Sequence, residues 1–315
     1  SWLLLKHVAL FFAYLSAVLR LPHLSLIGKD LAYSSIMFEL DRCKLIDAVI
    51  FTNVYAGSQP LWSRVLHNGR THMVWHSPNH KPVSYNFDNL DSDYPSMRWL
   101  RVNAHWVWTS SFANYLRSFD HGGTVNVIGP IMFYLPVRTV LDSSSIKILI
   151  FDNPPFSDDL ALKHGQVSNY NHPDNMLIFI RGVIALKCEL EKYFGKSVAF
   201  HLKTKRGYNI NYDRGYFDYI GDLDAKGVIT IEHHSVNMYS LISGANLVIV
   251  YPFSTPAYMA DYLDVPSIYY DPTGSIIRSD FSDTPSLMTF AGTPESLLSS
   301  AILALKKVFD KAVET

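Results

Sequence analysis

The segment Ile146–Phe151 (IKILIF) does most to limit what this chain can fold into. All of its residues but Lys147 are large and apolar, and it stops at Asp152-Asn153-Pro154-Pro155. A strand that is apolar on both faces must be covered on both faces, as in a parallel sheet flanked by helices. Similar short apolar runs follow at Ser197–Leu202, Val228–Ile231, Leu247–Tyr251 and Ser267–Tyr270. Between and after them lie amphipathic stretches: 174–194, 237–243, the segment ending near Leu263, and 294–312. The first half repeats the pattern. Strands are expected at Ala48–Asn53, His72–His76, Trp106–Thr109 and Val125–Ile128, with helices at Trp62–Leu66 and Ser111–Ser118. Strands alternating with helices give an α/β chain with parallel sheets.

The 315 residues suit two domains of about 150 residues each. Pro136 and the polar run Asp142-Ser143-Ser144-Ser145 mark the join. The reading is therefore one unit over 1–140 and another over 141–315. A hydrophobic fraction of 48% excludes a disordered chain. With 27 Lys+Arg against 28 Asp+Glu, the basic excess of a nucleic-acid binder is missing. Cys43 and Cys188 are the only cysteines. Far apart in sequence, they read as two free core thiols in a reducing, cytoplasmic setting, with one long-range disulfide as the other reading. Residues 1–21 are strongly apolar but interrupted by Lys6, His7 and Arg20. They read as a buried or amphipathic helix rather than a span. Peripheral contact with a membrane surface, such as an inner membrane, is the second reading.

Ligands of open α/β sheets bind beyond the carboxyl ends of strands, so candidate residues are sought there. After Leu247–Tyr251 comes Pro252-Phe253-Ser254-Thr255-Pro256, which has the features of a helix start. Free N–H groups and the helix dipole suit a phosphate there, and Ser254 and Thr255 add hydroxyls; a plain helix cap is the alternative. The segment Phe200–Arg206 (FHLKTKR) places His201, Lys203 and Lys205 on one strand face, with Arg206 at its end. Such cations can neutralise a departing phosphate. The loop Glu232–Asn237 (EHHSVN) offers hydrogen-bond donors and acceptors at Glu232, His234 and Ser235, unless Ser235 merely caps the next helix. His233 and His234 are adjacent and diverge, which makes a poor metal site. In the amino half, His76, His80, Asp93 and Glu39 are the candidates for a general base. No Gly-rich phosphate loop, nucleophile elbow or zinc spacing is present.

The segment Val250–Pro272 resembles the carboxyl-domain signature of bacterial surface-polysaccharide glycosyltransferases, in particular the group named for a Pro-Phe-Thr-Ser motif. Here the order is Pro-Phe-Ser-Thr. His105–Leu116, Val127–Phe133, Ile150–Phe156, Tyr170–Asn175 and Phe200–Arg206 fit the same group in order. The resemblance implies the GT-B architecture, two Rossmann-like domains facing across a cleft. It implies transfer of a sugar from a nucleotide-activated donor to a glycan or glycolipid acceptor in capsule or lipopolysaccharide synthesis. Related transferases use CMP-linked ulosonic acids of the Kdo or sialic type, so that donor is favoured over a UDP- or GDP-sugar. By resemblance Ser254 and Thr255 bind the donor phosphate, and the Glu232–Asn237 loop touches the nucleotide's base or ribose. No metal or other cofactor is expected, because protein cations and a helix dipole stabilise the leaving group. A His-Pro dipeptide is absent from the basic strand; His172-Pro173 lies elsewhere, before a helix. Two other functions stay open: a sugar-nucleotide epimerase of the same fold, and a non-catalytic partner in polysaccharide assembly.

Overall fold

In a computed structural model of the chain, the described residues are 2–52, 59–64, 66–67, 69–77, 100–119, 123–131, 144–163, 172–251, 255–274 and 286–313. They fall into two compact units, one within residues 2–131 and one within 144–313.

The first unit carries a parallel four-stranded sheet in sequence order: β1 (Ala48–Phe51), β2 (Arg70–Val74), β3 (Ala104–Val107) and β4 (Thr124–Val127). Its core joins Met73, Trp75, Leu100, Val102 and Val107 to Phe112, Ala113 and Leu116. The last three lie on helix α3 (Ser110–Arg117), whose start is capped by the Thr109 hydroxyl accepting from the Phe112 N–H. Ahead of the sheet come α1 (Trp2–Arg20) and α2 (Gly28–Arg42). Asp41, buried in the last turn of α2, accepts from the backbone N–H groups of His67 and Gly69. It thereby fastens that helix to the amino end of β2. The segment expected as a helix at Trp62–Leu66 is a 3-10 turn, Leu61–Arg64.

The second unit is a six-stranded sheet, parallel at every pairing, in the order β10-β9-β8-β5-β6-β7. The strands are β5 (Ser145–Phe151), β6 (Ser197–Lys203), β7 (Thr230–Glu232), β8 (Leu247–Val250), β9 (Ser267–Tyr270) and β10 (Met288–Ala291). From β5 the chain builds outward through β6 and β7, then returns to build β8, β9 and β10 on the other side. The order therefore reverses between β5 and β8. Ile146, Ile148, Leu149 and Ile150 are fully buried, as the apolar run demands. One face of the sheet packs on α5 (Pro173–Phe194), through Met176, Phe179, Ile180, Val183, Leu186 and Leu190, and on α9 (Pro294–Val313), through Leu297, Ala301 and Leu305. The spacing of these residues follows the helical period. The connections also include α4 (Asp158–Lys163), α6 (Arg214–Ala225), α7 (Met238–Ser243) and α8 (Thr255–Tyr262). Gly195 ends α5 in the left-handed conformation, at φ 62°.

Three further expectations change. Strand β6 stops at Lys203, so Lys205 does not share its face with His201 and Lys203. Beyond that point the chain turns, because the Lys205 N–H donates to Asp152. The helix after β7 is capped by Asn237, whose side chain accepts from the Tyr239 N–H, and not by Ser235. Cys43 and Cys188 are free, but both lie on the surface and not in a core.

Ile249, in the central strand β8, is fully buried in the core that α5 and α9 cover. Ile249→Ala is expected to lower unfolding free energy by about 2–5 kcal/mol, read from urea denaturation, since it opens a cavity in the central strand pair.

Candidate functional site

The polar residues of the second unit collect where its apolar strands end. Asp152 follows β5 and is buried. One carboxylate oxygen accepts from the Lys205 N–H at 3.1 Å, and the other accepts from the hydroxyl of Tyr216, near the start of α6. Burial pushes the Asp152 carboxyl up to about 6, against the opposing pull of the Tyr216 hydroxyl, the Lys205 N–H and the Lys203 charge. Burial and the Asp152 charge raise the Tyr216 hydroxyl well above its usual range, so it remains a donor.

Lys203, the last residue of β6, stands opposite Phe151 in the β5 register and opposite Glu232 in the β7 register. Its ammonium donates to the His234 carbonyl at 2.9 Å. Burial lowers its pKa, and the nearby Asp152 charge works against that. Partial burial and the adjacent Arg206 charge lower that of Lys205, whose side chain still reaches the surface. Gly207 packs on the His234 ring: a Cβ there would lie 2.9 Å from Nδ1, so no larger residue fits without displacing the ring. These contacts join two loops that are distant in sequence, the basic segment after β6 and the loop after β7. In the latter, Glu232 Oε1 pairs with His201 Nδ1 at 2.8 Å, and the Ser235 hydroxyl meets His233 Nδ1 at 2.7 Å.

The loop after β5 is tied down as well. Phe156 bridges to Tyr212 and stacks on its ring, the Asp213 N–H donates to the Pro155 carbonyl, and the Ser157 N–H donates to the Asn211 carbonyl. On the other side of the reversal point, buried Tyr251 follows β8, and Thr255 opens α8. Since β5 pairs with both β6 and β8, with Phe151 opposite Lys203 and Val250, these loops leave one sheet edge side by side. The expected Lys203, Lys205, Arg206, Glu232, His234, Ser235 and Thr255 therefore all belong to this edge. Ser254 lies outside the described residues.

In the first unit, His76 follows β2 and its Nδ1 meets the Thr52 carbonyl, just beyond β1, at 2.7 Å. Glu39 is not beside it. Glu39 accepts from Lys6 at 2.6 Å and Arg42 at 2.8 Å, and these partners hold its carboxyl below the usual range. Its helix ends at the amino edge of the sheet, whereas His76 follows a carboxyl edge. The expectation that Glu39 serves as a proton acceptor is thus corrected: it is an ion-paired tie between α1 and α2. His80 and Asp93 lie outside the described residues. Among the described residues, no cluster of His, Cys, Asp and Glu could hold a metal ion.

Asp152 and Tyr216 were not singled out by sequence. An acid directly after a doubly buried strand was a signal for Asp152; the partner hydroxyl, 64 positions away, had none. Because the folded-state pKa of Asp152 is raised, the native state holds its proton where the unfolded chain has lost it. Its contribution makes the fold less stable as pH rises from about 4 to about 6, by on the order of 3 kcal/mol in total. Urea denaturation across that window is expected to show this slope in the parent and a flattened one in Asp152→Asn.

A search of curated proteins finds no match to this sequence. Among solved structures, sucrose-phosphate synthase from Thermosynechococcus elongatus is 12% identical, with a TM-score of 0.50 over 89% of this chain and 70% of that one. UDP-GlcNAc 2-epimerase from Neisseria meningitidis bound to UDP-GlcNAc is also 12% identical, with a TM-score of 0.50 over 90% of this chain and 75% of that one. S. aureus TarM, in complex with Fondaparinux, alpha-GlcNAc-glycerol and UDP, is 15% identical, with a TM-score of 0.49 over 90% of this chain and 56% of that one. The chain thus spans little more than half of TarM. The likeness to the synthase and the epimerase is one of fold, mixed α/β with Rossmann-like parallel sheets of the GT-B kind. The model of the polysaccharide biosynthesis PFTS motif protein family matches residues 13–295. With that match over most of its length, the chain belongs to the polysaccharide biosynthesis PFTS motif family.

Proposed function

We propose that the chain is a glycosyltransferase, moving a sugar from a nucleotide-activated donor to a glycan or glycolipid acceptor in bacterial surface-polysaccharide synthesis. The observation that supports it most is the gathering of Lys203, Lys205 and Arg206 at the sheet edge that also carries the start of α8, with β5 between their strands. Donor cleavage breaks the bond between the anomeric carbon and a phosphate oxygen, and negative charge grows on that oxygen. Fixed cations, the Thr255 hydroxyl and the amino end of α8 lower the cost of that charge. In this reading Arg206 and Lys205 reach the phosphate from the surface. Lys203 is anchored to the His234 carbonyl and holds the loop after β7, where Glu232, His234 and Ser235 face the base or ribose.

The epimerase named above carries UDP-GlcNAc, and the proposal extends that ligand class, a nucleotide sugar, to this chain. A CMP-linked ulosonic acid is the donor favoured by the motifs, ahead of UDP- and GDP-sugars. The first unit takes the acceptor, with His76 the described candidate for its proton. The epimerase reading differs in outcome, since it converts a nucleotide sugar with no acceptor and releases no nucleotide.

Calorimetric titration with CMP, UDP and GDP separates these donors: one is expected to bind, and no binding of any would remove the proposal. Arg206→Ala with Lys205→Ala is expected to weaken that binding at least about tenfold, because each removes a charge-assisted contact. Thr255→Ala with Ser254→Ala is expected to weaken it less, with an unchanged melting temperature in both cases.

A further inference from the structure

Helix α1 shows two unlike faces. Leu5, Val8, Phe11, Phe12, Leu15 and Leu19 recur at helical spacing and fall on one side. All are exposed, from 41% for Leu15 to 62% for Phe12 and 77% for Leu19. A stripe of this kind is far more apolar than an ordinary surface helix. The opposite side turns inward: Lys6 pairs with Glu39 of α2, and Tyr14 donates to the carbonyl of Leu24 in the 3-10 turn Pro22–Ile27 that precedes α2. Between the two helices lies an open groove of about 660 Å³, lined mainly by Ala9, Leu10, Ala13, Leu31 and Phe38.

Charge identifies what covers these surfaces. Helix α1 contains Lys6 and Arg20 and no Asp or Glu, with Lys29 following beside Asp30 at the start of α2, although the whole chain has a net charge of −1. With Lys6 already paired to Glu39, a second copy of α1 would bring Arg20 no acidic group, because α1 itself carries none. An anionic lipid surface supplies the opposite charge, and the groove has room for part of an acyl chain. No helix among the described residues is long and apolar enough to cross a membrane. We propose that α1 lies in the plane of an anionic bilayer, with the Leu5–Leu19 stripe sunk about 5–10 Å into the headgroup and acyl boundary. Arg20 and Lys29 then meet lipid phosphates at one end of the helix. This surface is argued from α1 and α2 alone and does not depend on the donor site.

The test is sedimentation of the full chain with vesicles. Phosphatidylglycerol-containing vesicles are expected to bind it at least about tenfold more than pure phosphatidylcholine vesicles, with binding weakened by salt. Phe12→Ser with Leu15→Ser is expected to reduce binding about tenfold or more, since both side chains leave the acyl region. Its thermal melting should match the parent, because both side chains are exposed in the fold. Arg20→Glu with Lys29→Glu is expected to abolish the preference for anionic vesicles while the apolar contact remains. A parent chain that stays in the supernatant with both vesicle types would overturn the proposal. So would a dimer, seen by light scattering, that the Phe12 and Leu15 changes dissolve without altering vesicle binding.

Discussion

A parallel sheet covered on both faces has no room for charge except where its strands end. In the second unit β5, β8 and β9 are apolar and buried nearly throughout, and each is followed at once by a buried polar group: Asp152, Tyr251 and Asp271. Strand β6 does the same with Lys203 and Thr204. Burying Asp152 is costly for its ionised form, and the fold offsets part of that cost with the Tyr216 hydroxyl, the Lys205 N–H and the Lys203 charge. The same contacts fix the turn after β6. The basic segment leaves the sheet where it does because Asp152 holds its backbone.

This coupling gives the candidate donor site a definite construction. Lys203 is anchored inward, to Asp152 by charge and to the His234 carbonyl by a hydrogen bond. Lys205 and Arg206 are carried outward by the turn. His234 braces the arrangement twice, through its carbonyl and through its ring against Gly207. One buried acid thus supports a group of cations, and this is a common way to hold positive charge ready for a phosphate without moving protein groups during the reaction.

Much of this was legible in the sequence, for physical reasons that differ from place to place. IKILIF announced a doubly covered strand because nothing else tolerates such a run. The helix over 173–194 showed its period because one of its faces is entirely core. The α6 segment was missed: it contains two glycines and buries only Tyr216 and Ile220, so its pattern is faint. The α2 segment was missed because its buried residues are Glu39 and Asp41, polar side chains held by partners that sequence does not reveal. The basic segment was correctly placed at a strand end, yet its geometry was misjudged by two residues. The turn at Lys205 is set by Asp152, 53 positions earlier. Likewise Glu39 looked like any other acid near a candidate histidine until Lys6 and Arg42 were seen to occupy it.

The most direct measurement is backbone hydrogen exchange with and without the nucleotide that binds. Added nucleotide is expected to slow exchange in 203–207, in 232–237 and in the first turn of α8, and to leave the amino edge of the same sheet unchanged. Protection confined to other regions, or none despite binding, would contradict the placement of the donor phosphate between Lys205, Arg206 and the start of α8.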